Sequence, residues 1–403
     1  MSSFLKNREI GLWPYPIGSN HDQSYLTHSI FRYFGKLPPV LTGQLIDEYA
    51  YEQVDSPVVI DPMCGSGTTL VEAQKRGLRS VGVDANGIAL LASEVKTTPI
   101  QRSKVRDCIA DFRRRFSDYL DLEAKKGWAD PSREDGQLEA WQQYIPNFRN
   151  RDKWFREHAQ TSLARSRKWI DKHNNDEPIY RFLLLCWLGI IRKVSNASVR
   201  PGRIFHDHDK GAQPVFTELL KRLNKTLGAF EDIPEDHFYP LPELVKADAR
   251  ELDLTDQERG DFGILHPPYF ALYRYSSDVL RFELEWSQYD RKDIRGREIE
   301  EGFKTTDPSL MYDYVDDLME SIESTMQNMN PGSTLCLVVG NSTLSNEQLP
   351  VLETILERLS ATQHDVRNVI ERPINYSQSD YHKSADSSIN SDSDYIVLLD
   401  KSL

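Results

Sequence analysis

The chain has 403 residues, of which 39% are hydrophobic and 28% charged, and it carries a formal net charge of −13. That length points to two domains, or to one α/β domain with a large insertion, and the composition is that of a protein with a substantial core. No apolar run of about 18 residues occurs, so no membrane span is expected, and the acidic balance argues against a general polyanion binder, whose affinity would come from Lys and Arg.

The first residues, MSSFLKNREIGLWPYPIG, lack the basic-then-apolar pattern of a secretory leader. Cys64, Cys108, Cys186 and Cys336 are widely spaced and form no Cys-x-x-Cys pair. This argues against structural zinc and against a disulfide framework, and it fits a reducing cytoplasm.

In chain order, residues 21–50 read as a helix. The β-branched run 57–60 is a short buried strand of the parallel type ending at Asp61. CGSGTT follows, and LVEAQKRG then has helical spacing with a glycine at its end. RSVGVD, 79–84, is a second strand ending in an acid, and NGIALLASEVKT resumes a helix. This βαβα unit starts a doubly wound α/β sheet and closes a first block at residue 96.

Residues 97–240 differ: they are rich in charge and aromatics, helical in period and poor in β runs. They form a large helical insertion, anchored by the apolar helix 179–195. Two stretches within it are basic, 148–173 and 191–203, the second carrying Arg192, Lys193, Arg200 and Arg203. Such runs are either solvated helix faces or a patch for phosphates. The segment 314–326 is acidic. The histidines of HDHD, 206–209, mark a loop, and no metal site is expected. Strand signals return in the third block, 241–403, at 244–249, 261–265, 333–340, 365–371 and 394–400. The Ser- and Asp-rich segment 375–394 reads as a mobile loop.

The stretch DPMCGSGTT has a physical logic. Gly65 and Gly67 lack a Cβ, so the backbone can turn tightly and approach a ligand. Ser66, Thr68 and Thr69 can cap the next helix, whose N-terminus favours an electronegative group. The loop lies at the carboxyl edge of a parallel sheet, where such folds bind ligands. It is neither a P-loop, since no Lys follows the last glycine, nor Gly-x-Gly-x-x-Gly. Asp84 can accept both hydroxyl protons of a ribose. Asp248, in KADA, can accept from an adenine amino group or can simply close a surface turn.

A second stretch, ILHPPYF at 264–270, ends a strand with two prolines and an aromatic. The prolines have no N–H and hold the backbone rigid.

Taken together, DPMCGSGTTLVEAQKRGLRSVGVDANGIALLASEVKT, THSIFRYFGKLPP (27–39), HPPYFALYRYSSDVLRFELEW (266–286) and LVVGNS (337–342) resemble the motifs of the DNA amino-methyltransferases. These are class I S-adenosylmethionine enzymes that methylate cytosine N4 or adenine N6. The resemblance covers roughly 20–100 and 240–400. It implies a Rossmann-like methyltransferase sheet with the helical insertion as candidate target-recognition region, and double-stranded DNA as partner. The other reading of 57–96 is a nucleotide-binding unit of another class. By the resemblance, Asp61, Pro62, Cys64, Gly65, Ser66, Gly67 and Thr68 would cradle the methionine part of S-adenosylmethionine. Asp84 and Ala85 would hold the ribose, and 27–39 would cover the cofactor.

In the catalytic motif Pro267 would offer its carbonyl, Pro268 would hold the turn, and Tyr269 would stack on a base flipped from the duplex. His266 departs from the family pattern, which has Asp, Asn or Ser there. Three readings stay open: His266 accepts from the amine, Pro267 accepts while His266 only positions, or the motif has decayed. A neutral imidazole accepts only in one tautomer, and an ordinary one would protonate and cost activity near neutrality. Tyr273, Arg274 and Tyr275 could contact the flipped nucleotide or pack the next helix. The PPYxxxYxYS continuation favours cytosine N4. Adenine N6, an RNA base substrate and a non-catalytic binder are the alternatives, and a restriction or phage-defence partner is not readable.

Overall fold

The computed structural model describes residues 10–19, 21–128, 141–198, 204–270, 274–299, 307–344, 347–374 and 393–402. Ten strands occur among them: β1 Gly11–Leu12, β2 Val59–Asp61, β3 Ser80–Val83, β4 Glu243–Val245, β5 Gly260–Leu265, β6 Met329–Gly340, β7 Ser342–Leu344, β8 Glu347–Leu349, β9 Asp365–Pro373 and β10 Ser393–Asp400. Eight form one sheet in the order β1-β9-β10-β6-β5-β2-β3-β4, and β7 and β8 make a separate hairpin.

Every pairing in the large sheet is parallel except the two made by β10, which runs antiparallel between β6 and β9. β2, β3 and β4 step outward one way and β5 and β6 the other, so the winding reverses between β2 and β5. This is a doubly wound α/β sheet with its last strand inverted. A ligand crevice forms where the strand order switches, at the carboxyl ends of β2 and β5. The central strands are near-continuous apolar runs because both sheet faces are covered. Ile60, Val81, Leu265, Leu335 and Leu337 pack on one face, and Val59, Phe262, Ile264, Cys336 and Val338 on the other.

The segment 97–240 is helical, with long helices at Arg102–Arg115, Glu157–Asp171, Glu177–Val194 and Val215–Gly228. Its apolar faces join Ile88, Leu91 and Val95 of the helix Gly87–Thr97, and Phe282 and Trp286 further on, in one hydrophobic cluster. Glu177–Val194 is the apolar helix expected to anchor the insert. No helix among the described residues is long and apolar enough to cross a membrane.

Two expectations are corrected. Only Pro39–Tyr49 of the segment 21–50 is helical, begun by a proline at its first position. Residues 21–37 are turns, because their side chains bond outward to the sheet domain rather than along a helix. Tyr25 Oη and His28 Nε2 both reach Glu72 Oε1, at 2.5 and 2.9 Å, and Thr27 Oγ1 donates to the Lys96 carbonyl at 2.9 Å. The strand expected over 244–249 ends at Val245, because Asp248 caps a short turn by accepting from Arg250 N. Finally, β1 and the β7–β8 hairpin are too short to leave a periodic signal. The Ser- and Asp-rich loop lies outside the described residues, save its last two, 393 and 394.

Candidate active site

The crevice between β2 and β5 opens into a cleft with about 1030 Å³ of empty space, open solvent at its mouth included. Most of the residues singled out above lie on its wall: Asp61, Pro62, Cys64, Gly65, Ser66 and Thr68 after β2, and Asp84 and Ala85 after β3. Asp248 lines it beyond β4, and His266 and Pro268 after β5. Residues separated by two hundred positions thus meet at one sheet edge.

The turn after β2 is set by two left-handed glycines, Gly65 at φ 51° and Gly67 at φ 76°. A Cβ on Gly67 would stand 2.7 Å from Ser93 Oγ and 3.0 Å from the Ser93 Cα. Close backbone packing, as well as φ, therefore demands glycine. Gly67 occupies the cap position of the helix Thr68–Lys75 with no side-chain cap. The expected capping by Ser66, Thr68 and Thr69 does not occur, because each side chain faces elsewhere. Thr69 bonds Asp61. Ser66 is held by buried Lys96, whose Nζ donates to its carbonyl at 2.6 Å and to its Oγ at 2.9 Å. Thr68 Oγ1 and Asn86 Nδ2 are buried on the cleft wall without a hydrogen-bond partner. Buried polar atoms of this kind are normally satisfied, so a ligand that bonds them fits.

Charge points the same way. Asp61, Asp84, Asp248 and Glu298 line the cleft, against Lys36 and Arg297. Burial pushes the Asp61 carboxyl up to about 7 and the Asp84 carboxyl up to about 6. Asp84 accepts from Gly65 N at 2.9 Å and Asn86 N at 2.7 Å, which ties the two βα turns together. A ligand bringing a diol and a positive centre would meet acceptors already in place. Asp248 also pairs with Arg250, at 2.7 Å, which itself reaches Asp317 at 2.8 Å. Arg250 holds Asp248 below the ordinary carboxylate range, so it is an ionised acceptor fixed at the cleft.

The segment 27–39 supplies Tyr33, Gly35, Lys36 and Leu37 to the wall. Tyr33 stacks on Tyr275, centroids 5.2 Å apart, and Tyr275 Oη donates to the Phe34 carbonyl at 2.8 Å. Tyr275 thus joins the segment 27–39 to the stretch that follows β5. Lys96, Glu298 and Tyr33 had no sequence signal beyond lying in or near the motifs, and Tyr275, singled out above, turns to Tyr33 and Phe34.

His266 sits at the end of β5 with its Nε2 3.3 Å from Tyr269 Oη. Tyr269 Oη donates to Asp394 Oδ1 at 2.6 Å, and Asp394 Oδ2 pairs with Arg372. Pro267 is buried and, like Tyr269 and Gly67, is absent from the cleft wall. The expectation that His266 titrates near neutrality is overturned. Burial, and then the nearby Arg372 guanidinium, push its imidazole down to about 3, so it stays neutral throughout the ordinary range.

The basic runs are less open than their sequence suggests. Arg165 is fully buried, with its guanidinium over the rings of Tyr119 and Trp141 at 5.2 and 5.0 Å, and Arg167 pairs with Asp171. These cations hold the insert together. Lys193 is half-exposed and pairs with Glu218, while Arg192 is half-buried near buried Glu283. Arg200, Arg203 and Tyr273 lie outside the described residues.

No family model matches the chain. Among curated proteins it is 27% identical over 177 residues to the type II methyltransferase M.MvaI of Kocuria varians, covering 44% of this chain and 36% of that protein. It is 28% identical over 102 residues to the type II methyltransferase M.MjaII of Methanocaldococcus jannaschii, covering 25% and 18%. With the type II methyltransferase M.BsoBI of Geobacillus stearothermophilus it shares 24% over 305 residues, covering 69% and 55%. The chain therefore spans less than two thirds of each relative. Solved structures of S-adenosylmethionine-dependent methyltransferases from Listeria monocytogenes and Methanosarcina mazei superpose with TM-scores of 0.32 and 0.30 at 10% identity. They cover 91% and 89% of this chain, and 59% and 97% of theirs. These superpositions are loose, and the fold assignment rests on the strand order.

Proposed function

We propose that the chain is an S-adenosylmethionine-dependent DNA methyltransferase acting on an exocyclic amine of a flipped base, cytosine N4 before adenine N6. The observation that carries this is the single cleft: His266 and Pro268 share it with Asp61, Gly65 and Asp84. Asp84 and Ala85 take the ribose, Asp248 faces the adenine, and the Asp61–Thr68 turn takes the methionine part. S-adenosylmethionine, when bound, supplies an electrophilic methyl group. The chain orients the acceptor. His266 accepts a hydrogen bond from the target amine and helps localise its lone pair. The proline pair fixes the strand end, and the Tyr33–Tyr275 stack shields the cleft from water.

In this reading the helical insert 97–240 contacts duplex DNA, with Lys193, Arg200 and Arg203 meeting phosphates and Arg192 supporting them. Tyr273 contacts the target nucleotide. In this reading the enzyme works in the cytoplasm with a restriction or phage-defence partner.

The test is transfer of labelled methyl to duplex DNA, single-stranded DNA and tRNA, followed by nucleoside digestion. N4-methylcytosine from duplex DNA is expected. Label only in tRNA overturns the DNA assignment, N6-methyladenine overturns the base assignment, and no transfer to any of them overturns the activity.

A further inference from the structure

We propose that Asp394, acting through the Tyr269 hydroxyl, fixes His266 as the Nε2–H tautomer and so leaves Nδ1 as the ring's acceptor. This rests on the methyl-transfer reading for its purpose, though not for its geometry. Asp394 and Tyr269 are positioning residues here.

The inference follows from counting hydrogens. A carboxylate only accepts, a tyrosine hydroxyl has one hydrogen to give, and a neutral imidazole has one donor and one acceptor nitrogen. Tyr269 Oη is 2.6 Å from Asp394 Oδ1 and must donate there. Its oxygen therefore meets His266 Nε2, at 3.3 Å, as an acceptor. The shared hydrogen comes from the imidazole, so Nε2 is protonated and Nδ1 bare. The rings lie edge to face, 5.4 Å between centroids at 77°, which keeps the hydroxyl near the imidazole's rim.

The far end of the chain of bonds is anchored by the sheet. Asp394 in β10 and Arg372 in β9 are direct cross-strand partners and form an ion pair. Asp394 is 3% exposed, so the guanidinium keeps a buried carboxylate compensated. Without that pair the tyrosine hydrogen would be free to turn toward Nε2. The imidazole proton would then move to Nδ1, and the ring would present a donor to an amine that is itself a donor.

The test is nitrogen-15 histidine labelling with long-range proton–nitrogen correlation, which distinguishes the two tautomers directly. Ten histidines are present, and His266→Gln assigns the relevant signal by its loss. The wild type should show protonated Nε2. Replacing the ion pair together, Arg372→Leu with Asp394→Leu, should move the proton to Nδ1 and lower the methyl-transfer rate by about 10²-fold, the low end for removing a positioned acid–base group. Cofactor affinity should stay the same. Adding Tyr269→Phe removes the competing donor and should return the Nε2–H tautomer with part of the rate. A wild-type protein with protonated Nδ1, or a pair variant that keeps Nε2–H, overturns the proposal. The wild-type spectrum decides even if the variants do not fold. If the tautomers shift as described while no nucleic acid is methylated, the relay stands and the methyl-transfer reading falls.

Discussion

Asp61→Asn should make the cofactor-free protein more stable relative to wild type in alkaline solution than in acid. Burial raises the Asp61 carboxyl from 3.8 to about 7, so ionising it in the folded state is unfavourable. The sign follows from linkage. A group whose folded value is raised costs nothing below its unfolded value, and the cost grows as pH rises until the folded value is passed. At about 1.36 kcal/mol per pH unit, the full span amounts to roughly 4 kcal/mol. About 3 kcal/mol of it develops between about pH 4.5 and about pH 8. Asn keeps an oxygen to accept from Met63 N, the 3.1 Å bond of Asp61 Oδ1. Its extra amide N–H is unmatched and costs about 1–3 kcal/mol, but equally at both pH values. The difference between variant and wild type should therefore widen by about 3 kcal/mol from acid to alkaline solution. Urea unfolding without cofactor at both pH values measures it, and calorimetry with S-adenosylmethionine should show the same variant losing affinity. A stability difference that does not change with pH would refute the burial argument.

Gly67→Ala should destabilise the fold by about 2–4 kcal/mol, combining a left-handed residue with overpacking against Ser93; thermal unfolding reads it. Cofactor affinity should weaken about tenfold per pH unit below about pH 6, where Asp84 protonates and loses its acceptor capacity. The acid limb should persist in His266→Asn, which a titration by calorimetry checks. His266→Ala should keep cofactor binding and slow methylation by roughly 10²–10⁴-fold in single-turnover assays. Charge reversal at Lys193, Arg200 and Arg203 should reduce the salt slope of DNA binding by about 0.9 for each phosphate no longer neutralised. Arg192 is left out of that variant because it is half-buried beside Glu283.

Much of the site is legible in the sequence because two of its walls are continuous segments. The turn from Asp61 to Thr68 and the His266–Tyr269 motif each lie within a few residues at a strand end. Their chemistry shows in residue types alone. The side chains that hold them are not legible, because they arrive from elsewhere. Lys96 reaches Ser66 from the far end of a helix, and Asp394 reaches Tyr269 across 125 residues. Neither interaction has a periodicity. The basic run 148–173 misleads for a related reason: sequence counts charges but does not show that Arg165 is enclosed between aromatic rings. The turns over 21–37 read as helix because their anchor, Glu72, lies on another element.

The inverted strand bears on how the protein is made. β10 is the last strand of the sheet to leave the ribosome, yet it sits inside, between β6 and β9. Until residues 393–400 emerge, the apolar run of β6 has β5 on one side and an open edge on the other, and such edges invite pairing with another chain. A nascent polypeptide at that stage already has the βα turns that line most of the cleft. It lacks Asp394, and with it the acceptor that orients the Tyr269 hydroxyl. Emergence of β10 thus closes the aggregation-prone edge and completes the Asp394–Tyr269–His266 hydrogen-bond chain in the same event.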